Sequence, residues 1–229
     1  MEIACQENSK LLTAADLAFQ VRAVNMQMEL DWAPAYQEEP WPCRSYASLL
    51  GLAAGSFWPL AILDDLDGPA GAIGFHDWIA GLAFGRVLAS GDPLDATTLS
   101  HEALELRGDP RCDLWLPMPD GRFIAHEMCD PCEGDKYDVE VTIGGETRQV
   151  FVSDFVLPAY FVAGAPGPYS FLDTIDEPFG LSRSGGGYRL IKDRSGNVSS
   201  DFGRHAPNAA RMAKKIADPL SRTARRGLR

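Results

Sequence analysis

The chain has 229 residues, 45% hydrophobic and 23% charged, a composition that excludes a disordered or low-complexity polymer and suits one sizeable globular domain. Its 32 Asp and Glu outnumber 21 Lys and Arg, so a net charge of −11 is expected to keep the body off nucleic acid and anionic membranes. Five cysteines are an odd number with one Cys-x-x-Cys pair and no second pair by spacing, which argues against a disulfide scaffold and favours reduced thiols.

Residues 1–10 carry neither a basic segment nor an apolar run, so no secretory signal is expected and a cytoplasmic setting follows. Thr13, with Asp16 three residues on, has the spacing of a helix start. Leu17, Val21, Val24, Met28 and Trp32 then recur at helical spacing up to Pro34, which predicts a long N-terminal helix with a buried stripe. From Ser45 to Leu63 the chain runs without a charge. Pro59, three serines and Tyr46 argue against a membrane span, so the segment is read as a buried helix, Tyr46–Gly55, followed by a central strand, Phe57–Leu63. Strands are predicted at Phe57–Asp64, Ala72–His76 and Leu82–Ala89, with a turn at Asp67-Gly68 between the first two.

The next segment, Thr98-Leu-Ser-His-Glu-Ala-Leu-Glu-Leu-Arg-Gly-Asp-Pro110, contains His101, Glu102 and Glu105 in the order HExxE, a variant of the zincin motif. Thr97 or Thr98 is placed to cap a helix of about three turns, and Gly108 with Asp109-Pro110 to stop it. Positions i and i+4 lie one above the other, so His101 and Glu105 can converge on one ion, with Glu102 beside them as general base. A carboxylate in place of the second histidine makes the ligand set harder. Zinc is the expected ion, one per chain, with iron or manganese also compatible. The same spacing also describes an amphipathic surface helix whose His and Glu are merely solvated. His76 can approach the site from the end of its strand, although a single histidine is more often structural.

After this helix the pattern changes to hairpins. Leu114–Pro117 and Arg122–Met128 flank Pro119-Asp-Gly121, and Asp138–Ile143 and Glu146–Val152 flank Gly144-Gly145. A third metal ligand is therefore expected from a strand end or loop, with Asp130 slightly ahead of Glu127, then His126, and Glu133 last. In a continuous strand Glu127 and Asp130 would face opposite sides, so only one of them would bind. Cys129-Asp-Pro-Cys132 lies in this segment as inert thiols, a redox pair or additional ligands. Tyr137, Tyr160 and His126 are candidate oxyanion donors, Asp109 is read as orienting His101 or closing the helix, and Ser153-Asp154 as support from behind.

Taken in order, Val24-Asn-Met-Gln-Met-Glu-Leu-Asp-Trp-Ala-Pro34, Ala72-Ile-Gly-Phe-His-Asp77, Phe84–Ala89, Leu99-Ser-His-Glu-Ala-Leu-Glu105, Glu127-Met-Cys-Asp-Pro-Cys-Glu133 and Val152-Ser-Asp-Phe-Val-Leu-Pro158 resemble a family of zincin-like metallopeptidases of bacteria and phages. The likeness covers roughly residues 10–180, about three quarters of the chain. It implies an α+β zincin-like fold: a twisted mixed sheet, a long N-terminal helix and the HExxE helix, followed by β-hairpins and a basic C-terminal tail. It also implies a metal site, for which zinc held by His101, Glu105 and Asp130 or Glu127 is the expected arrangement and a peptide or protein the expected substrate. In zincins the strand before the active helix lies at a sheet edge and pairs with extended substrate, which would make Leu82–Ala89 that strand or an ordinary edge.

Charge divides the chain at residue 182, with net −20 before it and +9 after it. The expected organisation is a metallopeptidase domain over 1–182 and a Gly-rich hairpin with a basic tail over 183–229. Ser184-Gly-Gly-Gly187 is read as a hairpin turn before Tyr188-Arg-Leu-Ile191. The tail, 209–229, is solvated, folds back on the body, or binds an acidic partner. Two functions follow: a zinc-dependent peptidase or amide hydrolase, or a catalytically inactive zincin-like structural or interaction module of a phage or prophage. In the phage-encoded case the setting extends to the virion or host cell.

Overall fold

The computed structural model describes residues 1–53, 55–66 and 72–203. The Asp67-Gly68 turn and the basic tail expected over 209–229 lie outside the described residues. The chain is mixed α/β and divides into two compact units. Met1–Asp67, Ile73–Pro110 and Lys136–Ser153 form the first; the second includes Arg111–Asp135 and the chain from Asp154 onward.

The first unit is built on a five-stranded mixed sheet. Its strands are β1 (Glu2–Asn8), β2 (Cys43–Tyr46), β3 (Phe57–Leu63), β4 (Gly74–Ile79) and β5 (Leu82–Leu88), in the order β2-β1-β3-β5-β4. All neighbours run parallel except the β4–β5 hairpin. β3 is central, as its uninterrupted apolar run predicts. β5, expected at an edge, is instead internal, paired to β3 on one side and β4 on the other, and the edge strand is β4. The cause is a two-residue turn at Ala80-Gly81, both with positive φ, which folds β4 back against the outer side of β5. His76 consequently lies within β4, opposite Gly85, rather than at a strand end.

The long helix is present as α1 (Ala14–Gln27), a π-helical turn at Met28–Trp32, and the short α2 (Ala33–Tyr36). Thr13 and Asp16 form the reciprocal capping box expected from their spacing. Leu17, Val21, Val24, Met28 and Trp32 are all buried. The helix continues past Pro34 because that residue falls in the first turn of α2, where a missing N–H costs little.

The helix expected over Tyr46–Gly55 does not form. Tyr46 ends β2, and the following residues make turns in which Gly51 and Gly55 take φ of +92° and +81°, a conformation open to glycine and closed to a right-handed helix. Leu50 is 94% exposed, so this apolar segment is surface and not core. Among the described residues no helix is long and apolar enough to cross a membrane.

The HExxE segment forms α3 (Thr97–Gly108), and the second hairpin forms as β8 (Lys136–Ile143) and β9 (Glu146–Ser153). Helices α1 and α3 each contact the sheet on one side and this hairpin on the other, and so occupy the middle of the unit. α3 approaches the sheet closely where β5 carries Gly85. A Cβ there would meet Leu60 at 2.5 Å and Leu106 of α3 at 3.2 Å.

The second unit has an antiparallel sheet of β6 (Trp115–Pro117), β7 (Phe123–Ala125), β10 (Tyr188–Lys192) and β11 (Val198–Phe202), in the order β11-β10-β7-β6. Ala125, Tyr188 and Leu190 form a buried cluster against Trp115, Val198 and Phe202. β10 pairs with β7, so residues placed by the charge pattern in a separate tail region share a sheet with residues placed in the domain. The Ser184–Gly187 segment precedes β10 without being the hairpin turn; β10 and β11 join through residues 193–197. Gly187 instead lies against the chain at Pro131, whose carbonyl oxygen a Cβ would reach at 2.0 Å.

Candidate metal centre

Helix α3 is started by the residue before its N-cap and not by Thr97 or Thr98. The Asp95 carboxylate accepts the Thr97 N–H at 2.9 Å, and the N-cap, Ala96, has no side chain to offer. Burial acts to raise the Asp95 pKa, but hydrogen bonds from Thr97 and the ammonium of Lys136 outweigh it and hold the carboxyl below its ordinary value. At the other end, the Asp109 N–H donates to the Glu105 carbonyl at 2.8 Å, which places Asp109 as the residue that closes the helix.

Two residues of the helix, Ser100 and Arg107, fix it in place. The Ser153 N–H donates to Ser100 Oγ at 2.7 Å, and the Ser153 carbonyl accepts from Gln27 Nε2 at 2.7 Å, so β9 ties α3 to α1 through buried groups. Arg107 projects between two indole rings, 4.9 Å from the Trp32 centroid and 4.6 Å from that of Trp41. Its guanidinium also pairs with Glu38 and donates to the Glu39 carbonyl. A cation in the last turn complements the helix dipole as well.

The helix is enclosed on most of its faces. Leu99, Ser100, Glu102, Ala103, Leu104, Glu105 and Leu106 are all buried, which excludes a solvated amphipathic surface helix. His101 is the more open member of the motif, with 12% of its side chain exposed. Its Nε2 lies 3.3 Å from Glu105 Oε1, the i,i+4 convergence expected from helical spacing. On the opposite side, His76 Nδ1 lies 3.3 Å from Glu105 Oε2 and 3.3 Å from Glu102 Oε2. The first unit therefore brings together two imidazoles and two carboxylates from one strand and one helix. Glu102 fits there because residue 74 is glycine: a Cβ would stand 2.7 Å from Glu102 Oε1 and 2.7 Å from Thr98 Cγ2.

The second unit holds the remaining expected ligands. β7 ends at Ala125, and Asp130–Cys132 form a 3-10 turn, so Glu127 and Asp130 do not occupy one strand and the rule of opposite faces does not apply to them. Both are buried, as is His126, whose ring packs 4.8 Å from that of Phe161. Glu133 is half-buried at the end of the turn. Cys129 and Cys132 are buried thiols, not joined in a disulfide.

The other expected roles divide differently. The Tyr137 hydroxyl donates to Asp31 at 2.5 Å and accepts from Gln27 Nε2 at 3.2 Å, so it is committed to the back of α1. Tyr160 is fully buried among Phe161 and Phe179, and desolvation raises its phenol far above the ordinary value. Asp154 accepts N–H donations from Phe155 and Leu172 and the Thr174 hydroxyl, and organises the 154–174 loop of the second unit. Burial raises its carboxyl pKa.

No protein family, curated protein or solved structure matches this chain.

Donor chemistry and spacing both suit a divalent cation. Charge-assisted N–H···O contacts close to about 2.7–2.9 Å. Donors about 2.0–2.1 Å from a tetrahedral zinc ion stand about 3.3 Å from one another. The His101–Glu105 separation equals that tetrahedral edge. The placement of His76 against Glu102 and Glu105 left little signal in the sequence, because the register that sets it depends on the Ala80-Gly81 turn. Gly74 and Ser100 gave no motif signal beyond a glycine near a strand and a helical serine.

Proposed function

We propose that the chain is a metal-dependent hydrolase of peptide or related amide bonds, with His101 and Glu105 as protein ligands of one zinc-like ion. The observation that carries this is the i,i+4 pair at 3.3 Å, the spacing of two donors on one cation, with a second acid, Glu102, enclosed beside it. When bound, such an ion supplies Lewis acidity, polarising a carbonyl and making water easier to deprotonate.

The chain's own residues do the rest. Glu102 takes a proton from water as the new C–O bond forms and gives that proton to the amine nitrogen as the C–N bond breaks, so acid and amine products balance. His101, the more open of the motif residues, marks the side on which solvent and substrate enter. The purely structural reading has no use for an enclosed acid beside the first ligand.

The test compares the native chain with Glu102→Gln and His101→Ala by elemental analysis and by turnover of a quenched fluorescent peptide library. Glu102→Gln should keep its ion at the His101–Glu105 pair and lose turnover by at least about 100-fold; His101→Ala should lose that ion. Undiminished turnover in Glu102→Gln would overturn the mechanism. Loss of the ion in Asp130→Ala or Glu127→Ala would name the third ligand expected from the sequence.

A further inference from the structure

We propose that His76, Glu102 and Glu105 form a second divalent-cation position, with Glu105 shared between it and the ion at His101. This rests on the reading above for the first ion.

Three observations converge within the first unit. First, His76 Nδ1 stands 3.3 Å from both Glu102 Oε2 and Glu105 Oε2. His76 Nδ1 makes a long hydrogen-bond contact with Glu102 Oε2, but one ring N–H cannot also point at Glu105 Oε2, and both separations exceed the usual charge-assisted range. Both do match the edge of a tetrahedral donor set. The ligand atoms of all three residues lie within 4.8 Å of one another, whereas among the described residues no such set contains both imidazoles.

Second, the three groups are enclosed together: the His76 and Glu105 side chains are fully buried and Glu102 is 4% exposed, so bulk solvent is kept from the donor set. A dication held there would interact favourably with both carboxylates at once.

Third, the Glu105 carboxylate is divided. Oε1 faces His101 and Oε2 faces His76, which is how a carboxylate bridges the paired ions of two-metal hydrolases, about 3.5–4 Å apart. One nitrogen with two carboxylates is a hard donor set, suited to manganese, iron or zinc rather than a soft cuprous ion. Glu102 uses Oε2 for this position and keeps Oε1, on the Gly74 side, for the proton.

The experiment uses the full chain, stripped with chelator and refilled with Mn²⁺. Elemental analysis should give two ions per chain, and low-temperature electron paramagnetic resonance should show an exchange-coupled pair. His76→Ala and His101→Ala should each retain one uncoupled ion, and the double variant none. One uncoupled ion in the wild type, kept in His76→Ala and lost in His101→Ala, would overturn the second position and leave the proposed function standing. One ion lost in His76→Ala and kept in His101→Ala would overturn the first position instead. No ion in any protein would overturn both. If His76→Ala does not fold, stoichiometry and coupling in the wild type decide the question alone.

Discussion

A Cβ built on Gly74 would come within 2.7 Å of Glu102 Oε1, so strand β4 lies against helix α3 only because residue 74 has no side chain. The same Cβ would meet Thr98 Cγ2 at 2.7 Å and Glu102 Cγ at 3.0 Å, so the stem of the Glu102 side chain is crowded as well as its end. Gly74→Ala is therefore expected to cost about 1–3 kcal/mol through overpacking. By displacing the proton acceptor it should also lower kcat/KM about 100-fold. Thermal unfolding and peptide turnover measure the two effects separately, and unchanged values in both would show that Glu102 is not held where it stands.

Ser100→Ala tests the anchor of α3. The Ser153 N–H would lose its acceptor at 2.7 Å at a position where both residues are buried. The expected loss is about 1–3 kcal/mol, read from the denaturant midpoint at constant m value. A loss below about 0.5 kcal/mol would mean that β9 finds another acceptor.

Arg107→Lys keeps the charge and removes the planar cation held between Trp32 and Trp41. Because the guanidinium also donates to the Glu39 carbonyl, lysine cannot reproduce both the stacking and the directed bonds. A destabilisation of about 1 kcal/mol is expected, together with a change in indole fluorescence. Equal stability of the two proteins would reduce the interaction to simple charge.

Asp16 sets a pH dependence. The Thr13 hydroxyl, then Arg148 and the Thr13 backbone N–H, hold its carboxyl below the ordinary value of 3.8. A folded pKa depressed below the unfolded one means that ionised Asp16 stabilises the native state. That contribution is complete above about pH 4 and is lost as pH falls through the folded value. Asp16→Asn should therefore be less stable than wild type at pH 7, by about 1 kcal/mol as for a lost cap, and the gap should narrow as the pH is lowered below 3.8. A gap independent of pH would assign the cost to packing and not to charge.

Several elements were legible from residue order alone because they are local. The Thr13–Asp16 box, the stripe from Leu17 to Trp32, central strand β3 and the hairpin at Gly144-Gly145 each depend on residues a few positions apart. The convergence of His101 on Glu105 belongs with them, since helical periodicity alone brings positions i and i+4 together.

What remained illegible depends on long-range register. A buried helix over Tyr46–Gly55 was expected from apolar composition, which does not reveal that Gly51 and Gly55 adopt positive φ or that Leu50 faces solvent. β5 was expected at an edge from its position before the helix, but sheet order is decided by which strand the Ala80-Gly81 turn folds back against it. His76 shows the limit most directly. The sequence by itself determined a helix bearing one histidine and two acids at metal-binding spacing. Only the tertiary structure decided that a second histidine, twenty-five residues upstream of His101, stands 3.3 Å from both acids, because contacts between a strand and a helix follow from packing and leave no periodic trace in the chain.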